Sequence, residues 1–317
     1  MRRPPKLTAE QQKKLAKLEP ALRAAVGLYD CGLAKKITSE IHQLLKSTGQ
    51  ELRLLKSKNW YFECLMENGD LRKATQAFRQ IRERAPANSR VWLEASTMLA
   101  ICYLRQAQWN LAEIQIREVL TNDKVIRTPA RRAEFRRNSV ARFAEETLLA
   151  ASRTTVRQLI DADEIQMKAE TLARESSASS LFKALGEAVP GEAVIALLRI
   201  DTFSKKQLPF NEAKLLPSPQ QQAEISEVGR TFFEAVKRVI WRSLCDPSSD
   251  IYKTWFDHGL KRVMGKGFVG VDVYSALAGS RLGLAGIAIT TAAIVIKFGV
   301  ELYCERYKPV GTMIDHR

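Results

Sequence analysis

The sequence predicts an all-α protein: an array of helical hairpins, then a C-terminal helical region with a strongly apolar, glycine-rich helix. Three observations predict it. Residues 55–123 hold two consecutive stretches, each made of two helical patterns joined by a tight turn, and the two can be laid over each other in phase. Tyr61 then aligns with Leu99, Leu65 with Tyr103, Gly69 with Ala107, Ala74 with Ala112, Phe78 with Ile116 and Ile81 with Val119. Elsewhere, apolar residues recur at helical intervals over 15–45 and 223–245, where Val228, Phe232, Val236, Val239 and Ile240 form one stripe. The run from Leu282 to Ile296 contains no charge at all.

The hairpin spacing has a physical reason. Ala74 and Phe78 lie four apart on one helical face, as do Ala112 and Ile116. The small side chain lets a paired helix approach, and the larger one fills the groove beside it. One such hairpin cannot bury its apolar face alone, so neighbours must stack.

The pattern of a small residue near the turn, a small residue early in the second helix, an aromatic four further on (Phe78) and a closing Pro86 resembles a tetratricopeptide repeat (TPR). The likeness is close over 55–86 and looser over 93–123, which lacks the turn glycine and the proline. It covers about a quarter of the chain. The resemblance implies an α-solenoid with a concave face lined by the first helix of each hairpin. At the matching positions stand Lys56, Asn59, Glu63 and Met66, then Glu94, Thr97, Ile101 and Leu104. It further implies a protein partner, a peptide or an amphipathic helix. The family's clamp for a terminal carboxylate is not reproduced in that set.

Taken in order, residues 1–14 read as a basic arm that turns helical near Thr8, where Thr8 and Gln11 have capping-box spacing. Residues 15–45 make either a degenerate first repeat or a plain capping pair, with Gly27 and Gly32 available for the turn. In the repeat alignment Ala25, Leu28, Gly32, Ile37 and Ile41 take the places of Phe62, Leu65, Gly69, Ala74 and Phe78. The helical repeat domain is expected to run over 15–175. An irregular linker follows over 176–222, containing short helices broken at Pro190-Gly191, and a C-terminal helical domain occupies 223–317.

Between Lys124 and Arg142 the chain is densely basic, with Glu134 as its single acid. Thr128-Pro129 is a good helix entry. Arg127, Arg131, Arg132, Arg136 and Arg137 recur at spacings that put several guanidinium groups along one side of that helix, where they could hold phosphates. The plainer reading is a solvated face pairing with acids such as Glu145 and Glu146. Aromatics are sparse there, which disfavours a base-stacking platform.

The C-terminal apolar segment, 268–303, admits two readings. Arg281 and Lys297 lie sixteen residues apart, about 24 Å along a helix. They could snorkel toward opposite headgroup layers and leave a short but workable span. Gly279 and Gly283 have GxxxG spacing, and Gly286 extends the small-residue surface. The basic residues Lys253, Lys261, Arg262 and Lys266 would keep the preceding part on the cytoplasmic side. The alternative is a buried hairpin bent at the Gly265–Gly270 cluster. Gly265-Lys266 does not make a phosphate-binding loop.

Composition and charge narrow the function. The chain carries a net charge of +15 and a pI near 9.7, which eases contact with nucleic acid or an anionic lipid membrane without selecting either. The five cysteines are odd in number and lack CxxC spacing, which points to apolar packing rather than a disulfide framework or zinc site, and suits a reducing cytoplasm. The N-terminus lacks the apolar core of a secretory signal. His42, His258 and His316 have no metal-ligand spacing, and no nucleophile motif is present. The expected function is therefore a non-enzymatic, cytoplasmic interaction scaffold needing no cofactor or metal. One alternative is an effector acting at the inner face of the cytoplasmic membrane through 268–303. Another is a nucleic-acid binder using the α-helical arginines.

Overall fold

The computed structural model describes residues 5–153, 161–247, 249–257, 269–282 and 284–307. Among them the chain is all-α, with seventeen α-helices and no strand. It divides between Ser139 and Val140 into two compact units.

The first unit is built from α1 (Ala9–Gly27), α2 (Cys31–Leu45), α3 (Glu51–Glu67), α4 (Leu71–Arg84), α5 (Arg90–Arg105) and α6 (Trp109–Thr121). Consecutive helices pack pairwise along the whole series, and α3 also packs on α1 and α5. Local chemistry starts several of these helices. Thr8 and Gln11 form the expected capping box on α1, and Asp30, Asp70 and Ser89 accept from the backbone of α2, α4 and α5.

The three turns within the pairs α1/α2, α3/α4 and α5/α6 close in the same way. Leu28, Asn68 and Gln106 donate their N–H groups to Ala24, Cys64 and Cys102. Tyr29, Gly69 and Ala107 donate to Val26, Met66 and Leu104, and Asp30, Asp70 and Gln108 to Ala25, Leu65 and Tyr103. These bonds measure 2.9–3.2 Å. The middle residue of each turn is left-handed, with φ of 55°, 88° and 54° at Tyr29, Gly69 and Ala107. Four residues past each Asp or Gln, Ala34, Ala74 and Ala112 are fully buried. The alignment of Gly69 with Ala107 thus describes equivalent backbone positions. In the first hairpin the equivalent residue is Tyr29 rather than Gly32, which lies inside α2.

The cysteine expectation needs correction. Cys31 and Cys64 form a disulfide, with their Cα atoms 5.7 Å apart, and Cys245 and Cys304 form a second, at 5.4 Å. Stacking of α2 on α3 brings Cys31 and Cys64 together, a juxtaposition that their sequence spacing does not announce. Cys102, the counterpart of Cys64, is buried and outside both bridges. The cysteine pattern therefore no longer argues for a reducing compartment.

The boundary between units falls inside α7 (Pro129–Ala151). The second unit continues through α8 (Ala162–Glu175), α9 (Ala178–Ala188), α10 (Gly191–Lys205), α11 (Phe210–Ala213), α12 (Pro219–Gln222), α13 (Ile225–Leu244), α14 (Asp250–Asp257), α15 (Val269–Gly279), α16 (Ala285–Phe298) and α17 (Val300–Arg306). The expected linker over 176–222 is thus helical for much of its length, although the break does fall at Pro190-Gly191. Its apolar residues explain why: Leu181, Leu185, Ala193 and Leu197 are buried. Helix α9 packs extensively on α13, and α16 packs on α8, α9 and α15. Phe233 stands edge-on to Phe182, Tyr303 and Tyr307. Tyr303 donates its hydroxyl to the Lys237 carbonyl at 2.9 Å, and Trp241 Nε1 donates to the Cys304 carbonyl at 2.9 Å. Those bonds and the second disulfide fasten α17 to α13.

Candidate functional site

The residues expected to line an open concave face are buried. Asn59, Glu63, Met66, Glu94, Thr97, Ile101 and Leu104 are each at most 2% exposed, and Lys56 is half-buried. The physical reason lies in α5, where every residue from Val91 to Leu104 is buried. A helix that is apolar nearly all round is a core helix, and Glu94 is the one charge in that stretch.

These side chains instead form a polar seam between α3 and α5. Asn59 Nδ2 donates to the Val91 carbonyl at 3.1 Å. Arg90 Nε stands 3.5 Å from Glu94 Oε1. Ser96 and Thr97 return their hydroxyls to the Trp92 and Leu93 carbonyls. Burial pushes the Glu94 carboxyl up to about 7, against the opposing pull of Arg90, Lys56 and Asn59. Burial likewise holds the Lys56 amine below its ordinary range. The seam can set helix position and can take up a proton near neutrality, but it offers no surface to a partner.

The arginines of α7 divide into two groups. Arg136 pairs with buried Asp123 at 3.1 Å, and Arg132 Nη1 donates to the Ile126 and Arg127 carbonyls at 2.9 and 3.1 Å. Both guanidinium groups hold the turn before α7. Arg127, Arg131 and Arg137 are exposed, so of the five arginines three stand open to solvent and two are engaged by the protein itself. The pairing expected with the neighbouring acids occurs further along. Arg142 reaches Glu146 at 2.6 Å, and Arg238 of α13 reaches Glu145 at 2.5 Å and Glu146 at 3.3 Å.

In the C-terminal run, α16 buries eight residues, among them Ile287, Ala292, Ala293, Ile294 and Val295. Lys297 Nζ donates to the Ala173 carbonyl in the last turn of α8 at 3.0 Å, where a lysine can satisfy a helix-end carbonyl. No single helix among the described residues is long and apolar enough to cross a membrane; α16 and α17 reach that length only as a pair bent by 91°. The GxxxG expectation also changes. Gly279 ends α15, the next helix begins at Ala285, and a Cβ on Gly279 would meet nothing within 4 Å. A Cβ on Gly286 would meet the Ala188 Cβ at 3.1 Å. Among the described residues, the glycines that admit the closest contact are Gly186, Gly229 and Gly270, where a Cβ would fall 1.8, 1.9 and 2.7 Å from Ile225 O, Phe182 O and Gln166 Oε1. Gly283, Lys261, Arg262, Lys266, His258 and His316 lie outside the described residues.

One open groove among the described residues of the first unit lies between α1 and α2, about 640 Å³ in volume, and the sequence did not single it out. Leu18 and Leu44 pack partly against the core beneath it. Lys14, Lys36 and Glu40 stand along it, with Lys14 paired to Glu10 at 2.8 Å. The signal was present as Leu18 and Leu44 at positions beside the deeply buried Leu15 and Ile41, one turn off the core stripe. Among the described residues no group of three or more His, Cys, Asp or Glu side chains is arranged to hold a metal. No protein-family model, curated protein or solved structure matches the chain.

Proposed function

We propose that this protein is a non-enzymatic scaffold whose first unit is a TPR-like array of three hairpins, and that it holds a protein segment in the groove between α1 and α2. The observation that carries the reading is the turn geometry. Three hairpins repeat the same backbone bonds and the same left-handed residue, with Ala34, Ala74 and Ala112 buried at the equivalent position. Arrays of this kind bury their seams by stacking and leave grooves between helices for partners. The groove has an apolar floor, with Lys14, Lys36 and Glu40 along it, which suits an amphipathic helix with a polar, mixed-charge flank.

The test replaces Leu18 and Leu44 together with glutamate. The protein captured by the wild type is identified, purified and titrated against both forms by fluorescence anisotropy. A loss of about tenfold or more in affinity is expected, together with a lower melting temperature because both side chains also touch the core, so the titration is run well below the variant's melting temperature. Equal affinity for the double variant would overturn the assignment of the groove.

A further inference from the structure

The segment joining α10 to α12 is built in a way that core packing does not require. Phe210 and Leu215 are 75% and 82% exposed, the two most exposed large apolar side chains among the described residues. Single exposed apolar residues are ordinary, but these two occupy a braced loop. At its base Lys205 Nζ bonds both Asp201 Oδ2, at 2.5 Å, and the Pro217 carbonyl, at 2.7 Å. Asp201 itself is buried. Gln207 Nε2 donates to the Phe203 carbonyl, and backbone turns close at Leu208, Leu215 and Leu216. The tips are therefore presented by an ordered frame. Lys206 and Lys214 are exposed beside them, and Lys214 Nζ stands 4.4 Å over the Phe210 ring. The one acid between them, Glu212, is half-buried.

The geometry points to this loop as a docking element for an anionic phospholipid bilayer, with Phe210 and Leu215 entering the acyl boundary and Lys206 and Lys214 meeting lipid phosphates. Apolar tips flanked by cations suit that interface, and the chain's net charge of +15 favours the same partner. A stable protein interface needs roughly 800 Å² on each side, which two tips do not supply. A fluid acyl phase accepts isolated side chains. This membrane contact differs from one made through α16, and it is independent of the groove in the first unit.

The experiment is co-sedimentation of the full chain with vesicles of phosphatidylcholine alone and of phosphatidylcholine mixed with phosphatidylglycerol. Binding to the mixed vesicles is expected, weaker without phosphatidylglycerol and weaker as salt rises. Replacing Phe210→Ser and Leu215→Ser together should lower partitioning by about tenfold or more. Replacing Lys206→Gln and Lys214→Gln should lower it by about fivefold for each lysine. All four side chains are exposed, so thermal melting should not change. The proposal is overturned if the wild type binds no vesicle, or binds both kinds equally. It is also overturned if the Phe210/Leu215 variant binds as well as the wild type, which would move the contact elsewhere, to 268–303 for example. A variant that loses only concentration-dependent self-association would assign the tips to a second copy of the chain, and would overturn the membrane contact as well.

Discussion

Gly186 and Gly229 mark the crossing of α9 and α13: a Cβ built on Gly229 would lie 2.8 Å from the Gly186 backbone nitrogen. The obstruction is backbone, which cannot rotate aside as a long side chain would. Gly229→Ala and Gly186→Ala should each destabilise the second unit by about 3 kcal/mol or more, through overpacking. Urea unfolding checks this, with Gly279→Ala as the comparison. An alanine at 279 meets no atom within 4 Å and should cost less than about 1 kcal/mol.

The turn residues give a prediction of opposite sign. Ala107 holds φ of 54°, a conformation costing an L-residue roughly 1 kcal/mol. Ala107→Gly should raise stability by about 0.5 kcal/mol or somewhat more. Gly69 has φ of 88° and nothing within 4 Å of a built Cβ, so Gly69→Ala should lower stability by about 1 kcal/mol through backbone strain alone. Chemical denaturation of both variants would test the pair. A stabilised Gly69→Ala would contradict the shared turn geometry.

Glu94 makes stability depend on pH. Its carboxyl rises from an ordinary 4.5 to about 7 in the folded chain, so between those values the folded state holds more of the proton than the unfolded state. Stability should therefore fall as pH rises through this window, by on the order of 3 kcal/mol in all. Glu94→Gln, which carries no charge to desolvate, should flatten the slope and raise the melting temperature at pH 8 while changing little at pH 4. A melting series across pH 4–8 for both proteins gives the comparison.

The arginines of α7 should separate by role. Arg136→Ala leaves Asp123, whose carboxyl burial already pushes up, without its nearest cation, and should cost roughly 3 kcal/mol. Arg137→Ala, at an exposed position, should stay within about 0.5 kcal/mol. If the basic segment does hold phosphates, replacing Arg127, Arg131 and Arg137 together should weaken salt-sensitive binding to a duplex oligonucleotide, whatever its sequence. Retained binding would remove nucleic acid from consideration at that surface.

Much of the first unit was legible in the sequence, because its signals are local. Thr8 with Gln11 starts α1, and the alignment of Gly69 with Ala107 and of Ala74 with Ala112 marks equivalent places. The first hairpin misleads because tyrosine, not glycine, sits at its left-handed position, while Gly32 nearby looks like the turn. The lining residues mislead for a different reason. A resemblance supplies which helix faces a groove, but the composition of Val91–Leu104, with Glu94 as its single charge, already describes a helix with no wet side.

Helical content and the helix starts follow from short windows of sequence, since capping bonds and apolar periodicity act between residues a few positions apart, and the basic balance follows from composition alone. The pairing of Cys31 with Cys64, the meeting of Gly186 with Gly229 and the burial of Glu94 belong to the tertiary structure. Each joins residues 33 or more positions apart or depends on what lies against a face, and only the packing of whole helices decides which distant groups come within reach.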